Sequence, residues 1–327
     1  MKLPRRRFLH LAAGAVALPA VSRIARAQSY PSRPITMIVP YPAGALIDAT
    51  ARVLADRMRR SLGQPINIEN ISGAGGNIGT GRAARANPDG YTVEIGNSGT
   101  HAGNGAFYSL PYDVLHDFAP ISPLGTFPSV FYARKTMPGN DLYELIAWLR
   151  ANPNKASAGI YSAGGRLTAA IFQKETGTKF ALVSYRGGPP TVQDLAAGQI
   201  DLFLAGTTID LPLMRAGSIK AYAVSSGARV ALAPDIPTYA EMGLSAMSFS
   251  SWFGLFAPKG TPREIITKLN AAAVEALADP AVRARLIDFG LDILPRERHT
   301  PEALAAMQKA DAEKLWPLIK EFGIKGE

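Results

Sequence analysis

From Ile35 onward the chain repeats one pattern: a short β-branched run, a glycine-rich turn, then a helical stretch. Ile35–Val39 leads through Pro40-Tyr41-Pro42-Ala43-Gly44 into a segment with Ile47, Ala51, Leu54 and Met58 at three- to four-residue spacing, ending near Gly63. That spacing is one face of an α-helix, and the glycine marks its stop. Ile66–Glu69 and Thr92–Ile95 head two further units, with turns at Ser72–Gly76 and Gly96–Thr100. After an interruption the pattern resumes with Pro128–Ala133, a helix at Leu142–Arg150, and strands at Lys155–Ala158, Ala181–Tyr185, Asp201–Ala205 and Ile219–Val224. Such alternation predicts parallel, doubly wound sheets, and the interruption predicts two α/β lobes. Phe249–Ala257 reads as one more strand, with helices at Pro262–Leu277, Pro280–Phe289 and Pro301–Phe322. Pro262 and Pro301 suit first-turn positions, where a missing N–H costs little. These last segments are too few for a third domain, so the expected division is 28–126 plus 251–327 for lobe one and 127–250 for lobe two.

In open α/β sheets a ligand sits outside the carboxyl ends of the strands. Two facing sheets therefore gather their glycine turns along one cleft. Helix N-termini there supply N–H donors and partial positive charge, which favours carboxylates and other anions, and a clamshell of this kind closes by hinge motion. Gly73–Gly81 fails the dinucleotide fingerprint because Ile78 stands where the third glycine should be. The i,i+4 pairs Asp48–Arg52 and Asp56–Arg60 read as exposed helix-face pairs of small worth.

The formal charge of +9 suggests a polyanion partner until its location is considered. Lys2, Arg5, Arg6 and Arg7 precede an apolar run from Phe8 to Ala20, and Ala25-Arg26-Ala27 follows. This is the form of an export signal with cleavage before Gln28, its apolar run being shorter than the ~20 residues that span a bilayer. Arg5-Arg6-Arg7-Phe8-Leu9 also fits the twin-arginine motif. Residues 1–27 hold six of the 35 Lys and Arg and none of the 26 Asp and Glu, leaving 29 against 26, or +3. No basic run with interleaved aromatics remains, so no nucleic-acid partner is expected. The absence of cysteine excludes disulfides, thiolate metal sites and a lipid-anchored N-terminal cysteine. The expected mature chain is periplasmic, monomeric and not membrane-inserted.

The motifs Pro34–Gly44, Asp48, Leu62-Gly63-Gln64-Pro65, Gly73-Ala74-Gly75-Gly76-Asn77-Ile78-Gly79, Pro88-Asp89-Gly90-Tyr91-Thr92 and Leu110-Pro111-Tyr112-Asp113 resemble, in this order, the Bug family. Tyr185-Arg186-Gly187-Gly188, Gly198-Gln199-Ile200-Asp201 and Trp252–Pro258 continue the match. The resemblance covers nearly the whole mature chain. It implies a type II periplasmic-binding-protein fold and the role of periplasmic receptor in a tripartite tricarboxylate transporter. Such a receptor binds a small carboxylate, often through water, and delivers it to a separate membrane permease. It also implies site loops at Tyr41–Ala45 (Tyr41, Ala43, Gly44, Ala45), Asn97–His101 (Asn97, Ser98, Thr100), Ser162–Arg166 (Ser162, Gly165, Arg166), Tyr185–Gly188 (Tyr185, Gly187, Gly188) and Gly206–Thr207 (Thr207). Asp48 would hold the first loop, since direct contact with an anion would be repulsive.

Two departures fall at these loops. Ala45 stands where the family usually has a second glycine, and Arg166 where it tends to carry histidine. Arg166 is a candidate bidentate carboxylate ligand, while Tyr41, Tyr161 and Tyr185 are candidates to close over a ligand. For catalysis the chain beyond the signal offers His101, His116 and His299 with no H-E-x-x-H or G-x-S-x-G motif, and no metal or other cofactor is expected. A receptor is therefore favoured over its rivals, a ligand-sensing partner protein and an exported enzyme acting on a carboxylic acid.

Overall fold

The structure is a computed structural model that describes residues 30–206, 211–230 and 233–326. The expected signal at 1–27 and Thr207 lie outside the described residues. The chain begins with β1 (Ile35–Val39), α1 (Leu46–Leu62), β2 (Ile66–Asn70), α2 (Asn77–Ala84) and β3 (Thr92–Asn97). A π-turn at Gly99–Gly103 and the short α3 (Asn104–Phe107) precede β4 (Phe118–Pro128). Then come β5 (Val130–Arg134), α4 (Leu142–Ala151), β6 (Ser157–Ile160), α5 (Ala163–Thr176), β7 (Ala181–Ser184) and α6 (Gly188–Ala196). The chain finishes with β8 (Leu202–Gly206), α7 (Leu211–Arg215), β9 (Ile219–Val224), β10 (Ser250–Pro258), α8 (Arg263–Ala278), α9 (Pro280–Asp288) and α10 (Pro301–Phe322).

The strands form two five-stranded sheets, ordered β2-β1-β3-β10-β4 and β7-β6-β8-β5-β9. Each is parallel where the strand–helix units run, and mixed where the chain changes sheet. β10 is antiparallel to β3 and β4, and β5 to β8 and β9. The chain leaves the first sheet at Ser129, where Ser129 and Ser225 exchange two hydrogen bonds of 2.8 and 2.9 Å. It returns with β10, whose Ser250 pairs with Pro128.

Ile35, Met37 and Val39 of β1 bury one face against Ile47, Ala51, Leu54 and Met58 of α1, the stripe read from the sequence, and against Leu269 and Ala273 of α8. Ile38 points the other way, into Trp252, Phe256 and Leu304. Burial on both faces explains the unbroken apolar run of β1. β4 carries Pro120, Pro123 and Pro128, which argue against a strand in the sequence; it lies at the sheet edge, where a missing N–H is tolerated. β6 starts two residues later than expected because the Asn152–Lys155 turn, with Asn154 at φ 60°, takes up the chain before it. Pro301 occupies the first turn of α10 behind a Thr300 cap, whereas Pro262 sits one residue before α8. α10 spans both clusters of side chains: Leu304 lies in the first lobe, and Ile319 joins Phe172 and Phe180 of the second.

Candidate functional site

The loops read from the sequence follow the carboxyl ends of parallel strands β1, β3, β6 and β7. In the first, Gly44 adopts φ 85°, a conformation open to glycine at little cost, and its N–H donates to Asp48 Oδ2 at 2.8 Å. Ala45 has φ −66° and ψ 156°, ordinary for any L-residue, so the methyl that replaces a family glycine introduces no backbone strain. Ala43 and Gly44 are exposed and Ala45 is half-buried.

Asp48 corrects the reading of an exposed pair with Arg52. It is 3% exposed, and its carboxylate accepts from Gly44 N–H, Arg52 and Asn70 Nδ2. The same Asn70 amide donates to the Tyr41 carbonyl at 3.1 Å. Burial alone would raise the Asp48 pKa; the Arg52, Gly44 and Asn70 hydrogen bonds and the Arg52 charge outweigh it and hold the carboxyl below its ordinary value. Nothing in INIEN marks Asn70 as the partner of a helix residue 22 positions earlier; only the β1–β2 pairing brings it to Asp48. Asp56 pairs with Arg59 at 2.9 Å instead of Arg60.

The second loop is a closed turn. Asn97 Oδ1 accepts from Thr100 N–H at 2.9 Å, and Thr100 Oγ1 accepts from Asn97 N–H at 3.0 Å. Asn97 Nδ2 donates to the Tyr41 hydroxyl at 3.2 Å, which ties this loop to the first. Burial pushes the Tyr41 phenol up to about 12. Thr100 is fully buried, so its hydroxyl serves the turn, while Ser98 and Asn97 are half-buried at the surface of the loop.

In the second lobe Ser162 caps α5, its Oγ accepting from Gly165 N–H at 3.1 Å. That leaves the Ala163 and Gly164 N–H groups at the helix start, with Arg166 half-buried one turn in. Tyr161 packs edge-on to Phe203. Tyr185 extends the β6–β7 pairing through N–H to Ile160 O at 2.7 Å, and its hydroxyl donates to Asp194 at 2.8 Å. Burial and the Asp194 carboxylate push its pKa up to about 12. Gly187 and Gly188 open α6, where Pro189 and Pro190 remove two first-turn donors. Two surface concavities, about 630 Å³ beside Trp316 and about 360 Å³ beside Asn77, include none of the predicted loop residues.

Two α/β lobes that each aim glycine turns and helix starts from their strand ends define the class of two-lobed solute-binding proteins. Solved structures bear this out. The periplasmic binding protein BugD is 34% identical with a TM-score of 0.81, covering 91% of this chain and all of that one. MatC of Rhodopseudomonas palustris with bound malate is 33% identical with a TM-score of 0.81, covering 89% of this chain and 100% of that one. Rpa4515 of R. palustris with adipate is 30% identical with a TM-score of 0.82, covering 90% and 99%. The tripartite tricarboxylate transporter family receptor model matches residues 50–324, and the chain belongs to that family. Among the described residues no helix is long and apolar enough to cross a membrane.

Proposed function

We propose that this chain is a periplasmic receptor that holds a small carboxylate between its lobes, without a catalytic step, and hands it to a separate membrane permease. The observation that carries the reading is that relatives alike over some nine-tenths of the chain were solved with malate and with adipate. Residues 1–27 are the export signal in this reading, of twin-arginine type and cleaved before Gln28. Lobe one comprises 28–126 with 251–327, lobe two comprises 127–250, and the receptor acts as a monomer.

Backbone N–H groups at Ala43–Ala45, Ser98, Ala163–Gly165 and Gly187–Gly188 face the ligand in this proposal, with Thr207 and the Tyr41 and Tyr185 rings around it. Asp48 holds the first loop, and Ser162 and Thr100 hold theirs. Arg166 supplies the fixed positive charge, since its planar fork suits one carboxylate. A thermal-shift screen across mono-, di- and tricarboxylates tests the proposal. Saturation at ~100 Kd should add ~2.7 kcal/mol of stability. Arg166→Ala should weaken the best ligand by roughly 1.5–3 kcal/mol. Silence from every acid, with stabilisation by a neutral sugar or amine, overturns the reading.

A further inference from the structure

Behind the Asn97–Thr100 loop two ionisable side chains are sealed from water. Glu94 on β3 is 1% exposed and His101 in the π-turn is 0% exposed. Glu94 Oε2 and His101 Nε2 face each other at 3.6 Å, and among the described residues neither atom has a hydrogen-bond partner. The ring cannot swing away. It stacks on Phe256 at 3.8 Å, meets Phe118 edge-on, and fills the space over Gly96, where a Cβ would come within 2.2 Å of Nδ1.

The surrounding atoms decide where the protons sit. Thr80 Oγ1 donates to Glu94 Oε1 at 2.7 Å, so Oε2 is left to face the ring. His101 Nδ1 lies 3.0 Å from Thr100 Oγ1. That hydroxyl already accepts from Asn97 N–H and lies 3.3 Å from both Asn97 O and Asn97 Oδ1. It has one proton to give, either to Asn97 or to the ring. Burial pushes the Glu94 carboxyl up to about 8 and the His101 imidazole down to about 3, so both are uncharged near neutral pH. The protonated Oε2 then donates to Nε2 once the gap closes by a few tenths of an ångström. Nδ1–H donates to Thr100, and Thr100 donates to Asn97.

We propose that Glu94 and His101 are positioning residues: the proton held between them sets the His101 tautomer, which orients the Thr100 hydroxyl and through it the Asn97 side chain that grips Tyr41. The link to a ligand rests on the carboxylate-receptor reading; the relay belongs to the protein alone. Loss of the Glu94 proton draws an N–H to Nε2, makes Nδ1 an acceptor and turns the Thr100 proton from Asn97 to the ring. The Glu94 carboxyl is shifted by burial and by the Thr80 hydrogen bond; Tyr41 and Tyr112, which feel the Glu94 charge, are themselves raised by burial and uncharged across this range. Of the charged groups on the packed elements, Arg82 of α2 is paired with Glu69 and Arg85 acts on Tyr112. On α10, Asp311 accepts from Trp252 at 2.7 Å, and Gln308 contacts the His101 carbonyl and not its ring.

Nitrogen-15 NMR of the histidine ring tests this in the full mature chain. Wild-type His101 should carry its proton on Nδ1 at pH 7 and on Nε2 above a midpoint near pH 8, with the Asn97 and Thr100 amides moving along the same curve. Glu94→Gln, which donates without titrating, should keep the Nδ1–H form to pH 10 and flatten both amide curves. An Nε2–H ring at pH 7 in wild type, or unchanged amide titrations in the variant, overturns the relay. With adipate as probe, wild-type affinity should fall from pH 7 to pH 9 and that of Glu94→Gln should not; equal wild-type affinities overturn the positioning role. If adipate and malate both fail to bind while the tautomer switch is present, the carboxylate reading fails and the relay stands.

Discussion

Glu94 and His101 give the protein a pH profile that follows from two opposed shifts. Glu94 stays protonated when folded but ionises when unfolded between 4.5 and about 8, so the folded state binds more protons and stability falls as pH rises through that window. His101 stays neutral when folded but is protonated when unfolded between about 3 and 6.5, so stability rises with pH there. The slopes cancel between 4.5 and 6.5. At roughly 1.4 kcal/mol per pH unit, this pair should cost about 2 kcal/mol by pH 8 and about 2 kcal/mol by pH 3. Asp48, whose carboxyl is held below its ordinary value, adds to the acid loss. Urea denaturation from pH 4 to 9 checks this: Glu94→Gln should lose the fall above pH 6.5 and, with His101 no longer offset, gain stability as pH rises from 4.5 to 6.5. Parallel curves for wild type and variant above pH 6.5 would mean that Glu94 ionises freely in the folded protein.

Among the elements, α10 does most to connect the parts. Its Gln308, 4% exposed, donates to the carbonyls of His101 at 2.8 Å and Val114 at 2.6 Å, and Trp316 donates to Ala102 O at 2.9 Å. The helix thus holds the π-turn that carries the Asn97 loop. Farther along, Pro317 interrupts its hydrogen-bond ladder, and beyond that point Glu321 pairs with Lys174 of α5. One helix therefore touches the back of a first-lobe loop and the second lobe. Gln308→Ala removes two buried hydrogen bonds and should destabilise the protein by about 2–3 kcal/mol, with faster amide exchange in Gly99–Gly103. A loss below 0.5 kcal/mol would show that water replaces the side chain there.

At the scale of the whole molecule, two chain crossings and α10 join the sheets. The Ser129–Ser225 pair fixes where the first crossing departs, and among the described residues no strand bridges one sheet to the other. Such a join permits rotation of one sheet against the other. In the proposed receptor, saturating ligand should lower the radius of gyration seen by small-angle X-ray scattering. An unchanged value together with tight binding would mean that the lobes do not close.

Much of the fold was legible in the residues, since β-branched runs, glycine stops and a 3.6-residue stripe are local signals. They placed β1, α1, α4, β9 and α10 within a residue or two. β4 was not legible because its prolines count against a strand until the strand lies at an edge, and edges are made by chain order in space. The loops were legible as glycine turns after strands, but the state of their side chains was not. Asp48 reads as half of a helix-face ion pair, and only the pairing of β1 with β2 brings Asn70 to it and buries it. Glu94 and His101 are seven residues apart in a stretch without a motif, and the π-turn alone turns one toward the other. The sequence by itself determined where strands, helices and turns fall, because neighbouring residues decide those. Tertiary structure decided which polar atoms meet, because hydrogen bonds and burial depend on distances that chain order does not set.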